Sequence, residues 1–217
     1  MSSLSSSALS RTSHVIMAVL TLPVAAYASL YVFPDMPGLP ENILANRWGA
    51  YGLPLHAGLG AVALLIGPLQ FMQSLRSKAP GVHRAMGMTY VTACLVSALA
   101  GFILATGTTN GVVAGLGFAL AAIVWTLCTA RGLSCVVTGQ YAAHRRWMIR
   151  SYAMTFSAVT LRIQLGLGTA AGLDFAEFYP ILAFSAWIPN LIVAELWLLL
   201  RNPSRGSQNQ PASLSAG

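Results

Sequence analysis

Two histidine-arginine steps, His83-Arg84 and His144-Arg145, are the residues of this chain best placed to do chemistry. Their flanks are alike, PGVHRAMGMTY around the first and YAAHRRWMIRSY around the second, and each step opens a long apolar run. A neutral imidazole offers an unprotonated ring nitrogen to a metal. Two of them on facing helices can hold a haem iron from both sides. Arg84, Arg145 and Arg150 stand where guanidinium groups can pair with haem propionates. The expectation is a haem b held by His83 and His144 as iron ligands, with those arginines around it. The plainer alternative makes both histidines interfacial residues that hydrogen-bond to headgroups or loop carbonyls.

Three further residues invite a functional reading. Arg162 falls about five helical turns after His144, on the same helical face. An arginine inside a membrane helix costs roughly 2.5 kcal/mol or far more, and usually has a partner. Arg162 and His56 are therefore expected to form an anionic or quinone site in the outer half of the membrane. The alternative is snorkelling toward Asp174 or Glu177. Glu195 is expected either to neutralise a basic residue such as Arg150 or to carry a proton.

The elements that position these residues follow from composition. The 217 residues are 56% hydrophobic and 8% charged, whereas soluble domains carry about 25% charged residues. Several apolar stretches approach the ~20 residues that cross a bilayer as helix. The reading is an all-α, polytopic membrane protein with six transmembrane helices at about 14–33, 54–74, 84–107, 111–136, 145–171 and 179–201, helices two to five forming a four-helix core. Residues 1–13 form a tail, 14–201 the membrane domain, and 202–217 a Pro/Gly/Ser-rich tail of disordered character. The first apolar stretch lacks a small-residue cleavage pattern and reads as a retained helix.

Arg11, Arg76, Lys78, Arg84, Arg131, Arg145, Arg146, Arg150, Arg201 and Arg205 all fall on one side of this topology. The other side carries Arg47 beside Asp35, Glu41, Asp174 and Glu177. The positive-inside rule then places both termini in the cytoplasm of a bacterial-type inner membrane. The net charge of +7 is a topology signal and not a nucleic-acid footprint. The expected partners are the lipid bilayer and a quinone or redox partner; the sequence sets no oligomeric state. Cys94, Cys128 and Cys135 form no CxxC pair and read as buried small residues. Trp125, Trp147, Trp187 and Trp197 read as lipid-facing or interfacial anchors.

Small residues recur on two faces: His56, Gly60, Ala63, Gly67 and Gln70 on one helix, and His83, Gly87, Tyr90, Cys94, Ser97 and Gly101 on another. Membrane helices pack through such faces because close backbone approach supplies the contact energy. Each His-Arg step is also followed, about two turns on, by a tyrosine, Tyr90 or Tyr152, as in a repeated hairpin.

The segments LHAGLGAVALLIGPLQF, PGVHRAMGMTYV and HRRWMIRSYAMTFSAVTLR resemble an uncharacterised bacterial family of predicted multi-pass membrane proteins. The resemblance spans about residues 50–200 and implies no activity. A weaker similarity is to the cytochrome b561 superfamily, whose six helices carry histidine ligands for two haems. It implies His83 and His144 as one ligand pair and His56 as half of another. The fourth helix, GVVAGLGFALAAIVWTLCTARG, has no histidine to complete that second pair. The leading functional expectation is a haem-b electron-transfer or quinone-linked redox protein. A small-solute or proton-coupled transporter and a non-catalytic assembly subunit are the alternatives.

Overall fold

The computed structural model describes residues 17, 19–33 and 45–201. Both expected tails, with Arg11 and Arg205, lie outside the described residues, as do the start of the expected first helix and most of the 34–53 connection.

The described chain is all-α. Helix α1 covers Val19–Leu30 and α2 Gly49–Gln70. A short α3, Gln73–Lys78, leads into α4, Pro80–Thr106. Then come α5, Gly111–Val137, and α6, Tyr141–Ala170. A final pair, α7 (Phe175–Ser185) and α8 (Ile188–Leu200), replaces the single sixth helix read from sequence.

Four segments are both long and apolar enough to cross a membrane: α2, α4, α5 and the combined Phe175–Leu200. α1 is apolar but shorter. α6 is the longest helix at 30 residues, yet it falls outside that group. Its first turns carry Arg145, Arg146 and Arg150, and Ser151, Thr155, Thr160 and Arg162 follow. Length alone therefore qualifies α6; Arg145 and Arg146 are exposed at its start, and further along Ser151 and Thr155 turn their polarity inside the bundle, where they are buried.

α2 packs on α4, α4 on α5, α5 on α6, and α6 closes the ring against α2. α7 lies against α5 and α6, and α8 against α6. α1 seats Ala25, Ala28 and the following Tyr31 on Ala57, Ala61 and Leu64 of α2. The buried set is dominated by Ala, Ser, Thr and Cys, while Leu99, Val112, Leu116, Leu127 and Leu196 are exposed. This inversion suits lipid, in which small residues meet at helix contacts and large apolar ones face the hydrocarbon.

The α2–α4 contact uses the two small-residue faces in strict antiparallel register. His56 sits on Gly101, Gly60 on Ser97, and Gln70 on Gly87. At Gly67 the approach is closest, for a methyl group there would lie 2.2 Å from the Tyr152 ring of α6.

The break between α7 and α8 has a simple cause. Pro189 has no N–H, so the carbonyl of Ser185, four residues earlier, loses its helical donor. Gln164 of α6 supplies the replacement: its Nε2 donates to Ser185 O at 3.2 Å, and its Oε1 accepts from Ser185 Oγ at 2.9 Å. Interrupted backbone is tolerated at membrane depth only when protein or a water-lined cavity satisfies it. Here a side chain does.

Candidate functional site

The basic loops lie at one end of the bundle, where Arg145 and Arg201 both stand over the Trp197 ring. A cavity of about 360 Å³ occupies the opposite half. That volume lies at the small end of the usual range for small-molecule sites, roughly 300–1,000 Å³. Six helices contribute to its wall: Tyr27 from α1, His56 from α2, Ser97 and Gly101 from α4, Trp125 from α5, Arg162 from α6 and Tyr179 from α7. Leu53, Leu104, Phe118, Leu161 and Phe175 make much of the remainder apolar.

His56 is locked to α4. Its Nδ1 donates to Ser97 O at 2.9 Å, and Ser97 Oγ donates back to His56 O at 2.7 Å. With the proton on Nδ1, Nε2 keeps its lone pair and is an acceptor. The ring rests on Gly101, where a Cβ would come within 2.8 Å of Nδ1. Only glycine allows this approach.

Arg162 has sparse company. Nη1 donates to Ala158 O, one turn back on its own helix, at 3.1 Å, and the buried Nε has no partner. Among the described residues no carboxylate pairs with it. The expected Asp174 is engaged elsewhere, capping α7 by accepting from Ala176 N at 2.8 Å. Around Arg162 the cavity wall presents phenols instead, Tyr27, Tyr31 and Tyr179. The first two share a hydroxyl hydrogen bond of 2.9 Å.

The cavity floor opens onto a buried hydroxyl network. Trp125 Nε1 donates to Thr155 Oγ1 at 3.1 Å. Tyr90 OH lies 2.9 Å from Thr155 Oγ1 and 3.0 Å from Ser151 Oγ, which is 2.7 Å from Thr129 Oγ1. Trp125 is thus a core residue and not a lipid anchor, because its indole N–H needs the partner that only the interior supplies. The network also shows that the hairpin repeat is out of step. Tyr90 meets Ser151, whereas Tyr152 turns toward Gly67 and Phe71 and its hydroxyl has no partner.

At the basic end His144 Nδ1 donates to Gly132 O at 2.7 Å, and His83 Nδ1 is buried without a partner. Arg84 and Arg145 are exposed. Arg150 is committed to Glu195 through two hydrogen bonds, Nε to Oε1 and Nη2 to Oε2, the latter at 2.8 Å. Its guanidinium also lies 4.7 Å from the Trp147 ring centroid. Among the described residues no group of three or more His, Cys, Asp or Glu is placed to hold a metal ion.

Residues 53–198 match the family described as predicted membrane protein DUF2306. The chain belongs to this family. No curated protein and no solved structure matches it. The DUF2306 segment contains His56, His83, His144, Arg162 and Glu195, while Tyr27 and Tyr31 precede it. The cavity of this DUF2306 protein is therefore completed from outside the matched segment.

Sequence reasoning singled out His56 and Arg162, and Thr155 on the face of Arg162, but missed Tyr27, Tyr31, Tyr179 and Trp125 as neighbours of the same space. Tyr31 sits one turn after Tyr27, which marks a shared face. Nothing in the sequence says that this face meets α6.

Proposed function

We propose that this is a six-span membrane protein that binds the oxygen-bearing headgroup of a membrane-dissolved amphiphile, anionic or quinone-like, in the cavity away from the basic loops. One observation carries the reading: His56 and Arg162, distant in sequence, line one cavity whose described wall is otherwise uncharged and mostly apolar, with phenols, hydroxyls and the amides of Asn46 and Asn110 between. Arg162 supplies a positive charge and donors, and His56 Nε2 an acceptor. The positive-inside rule puts the basic end in the cytoplasm and the cavity in the outer half of an inner membrane. The break between α7 and α8, beside Trp187 of the cavity wall, favours a ligand that is admitted and released over one that is permanent, because discontinuous helices commonly form the substrate sites of transporters.

The test is binding itself. The purified protein in lipid nanodiscs is titrated with a short-chain quinone and with a fatty acid. Saturable binding of either is expected, with loss in Ala98→Phe, which fills the cavity. Non-saturable partition of both, unchanged in Ala98→Phe, refutes the reading.

A second reading keeps haem b at His83 and His144. The donor set fits in part: His144 is held in the tautomer that leaves Nε2 unprotonated, and His83 has a ring nitrogen without a protein partner. Arg84 and Arg145 would face the propionates, while Arg150 is occupied by Glu195. A bound haem would supply one-electron transfer. A reduced-minus-oxidised b-type spectrum, lost in His83→Ala and in His144→Ala, is the expected result. A well-folded protein from haem-replete cells without Soret absorbance ends this reading and leaves the cavity proposal standing.

A further inference from the structure

Arg162 separates the two headgroup classes that the cavity reading leaves open. Its Nε is shut off from solvent and unpartnered, and its one hydrogen bond goes back to its own helix. Of the carboxylates among the described residues, Asp174 caps α7, Glu177 is exposed, and Glu195 is held by Arg150 at the far end of the bundle. Arg162 is the one formally charged side chain among the described residues that line the cavity. Tyr27 and Tyr31 have two hydroxyl protons between them and use one on each other, so a donor is left over. A neutral headgroup would use the donors and leave the guanidinium charge uncompensated.

We propose that the cavity takes a monoanionic amphiphile, its acidic headgroup paired with Arg162 and its chain along the apolar wall formed by Leu104, Phe118 and Phe175. This rests on the cavity reading above and adds the charge of the ligand. The stoichiometry follows from one guanidinium facing a site with no second cation among the described residues. A planar carboxylate can take two N–H groups of the guanidinium at once. The cavity has room for on the order of ten water-sized units, which suits a headgroup and its first carbons, with the rest of the chain leaving through the opening.

The built-in reporters are Trp125 and Trp187, both in the cavity wall. Protein in nanodiscs of zwitterionic lipid is titrated with a bromine-substituted fatty acid and, separately, with its methyl ester, and tryptophan quenching is followed. Competition with the unbrominated acid isolates the saturable part. The expected result is saturable quenching by the acid at least tenfold tighter than by the ester. Arg162→Gln removes that preference and Arg162→Lys keeps it. Equal binding of acid and ester by the wild-type protein overturns the anionic assignment and leaves the amphiphile cavity intact. Absence of saturable quenching by either overturns both. The wild-type comparison decides even if Arg162→Gln does not fold. Adding a monoanionic phospholipid to the disc separates the sources of the anion. Displacement of the acid assigns it to a lipid headgroup, and no displacement to a free acid.

Discussion

Gly67→Ala tests the closest approach in the bundle. A Cβ at this position would lie 2.2 and 2.3 Å from Cε2 and Cδ2 of Tyr152 and 3.3 Å from Cε2 of Tyr90. Carbon atoms in good contact are about 3.5–4.0 Å apart, so the Tyr152 ring or the α2 backbone must move by more than about an ångström. The ring has little freedom, being 6% exposed and packed at 5.7 Å against Phe71 and at 6.3 Å against Phe156, centroid to centroid. Overpacking of this kind costs about 1–3 kcal/mol. Replacing glycine by alanine in a helix returns up to about 1 kcal/mol. The displacement places the first figure near its upper end, so a net destabilisation of about 2 kcal/mol is expected. Thermal unfolding in a mild detergent measures it, as a fall of roughly 4–8 °C on the scaling for domains of this size. Gly166→Ala is the control, since nothing lies within 4 Å of its Cβ position, and it should unfold at or slightly above the wild-type temperature. Tyr152→Leu in the Gly67→Ala background should recover part of the loss. A Gly67→Ala protein as stable as wild type would refute the contact of α2 with α6 and the ring of helices built on it.

The remaining predictions use the same assay. Tyr90→Phe and Tyr152→Phe remove the same atom with opposite consequences. The first strips a hydroxyl bonded to Ser151 and Thr155 and should cost about 1–2 kcal/mol, whereas the second removes an unpartnered hydroxyl and should be neutral or stabilising. An equal loss in both would show that Tyr152 has a partner. Gln164→Leu leaves Ser185 O without its donor at the helix break and should destabilise by about 1–3 kcal/mol; no loss would mean that water replaces Gln164 there. Glu195→Gln breaks the pair with Arg150, whose side chains are 43% and 18% exposed. That exposure limits the expected cost to about 1 kcal/mol. The combined Arg150→Gln, Glu195→Gln protein should recover part of it, and strict additivity of the two losses would exclude the pairing.

The sequence by itself determined that this is a helical membrane protein, where most of its helices run, and which faces are small. It could do so because the cost of leaving peptide groups unpaired in lipid forces helices, and apolar run length reports them directly. The antiparallel match of His56 with Gly101 and of Gln70 with Gly87 was legible as two small-residue stripes, since spacing on a helix fixes a face. What a face meets is not local information. Trp125 reads as a lipid anchor until Thr155 of another helix supplies its hydrogen bond, and Asp174 reads as a partner for Arg162 until it caps α7. The helix of α6 was legible over 145–171 although its polarity lowers its hydropathy, but which neighbours take up its buried hydroxyls, Ser151 and Thr155, was not, because Tyr90, Trp125 and Thr129 lie on other helices. The break after Ser185 is written in Pro189, but its repair by Gln164 depends on the packing of α6 against α7. The cavity belongs wholly to the tertiary structure, for it is bounded by residues from α1 to α7 whose convergence no spacing encodes.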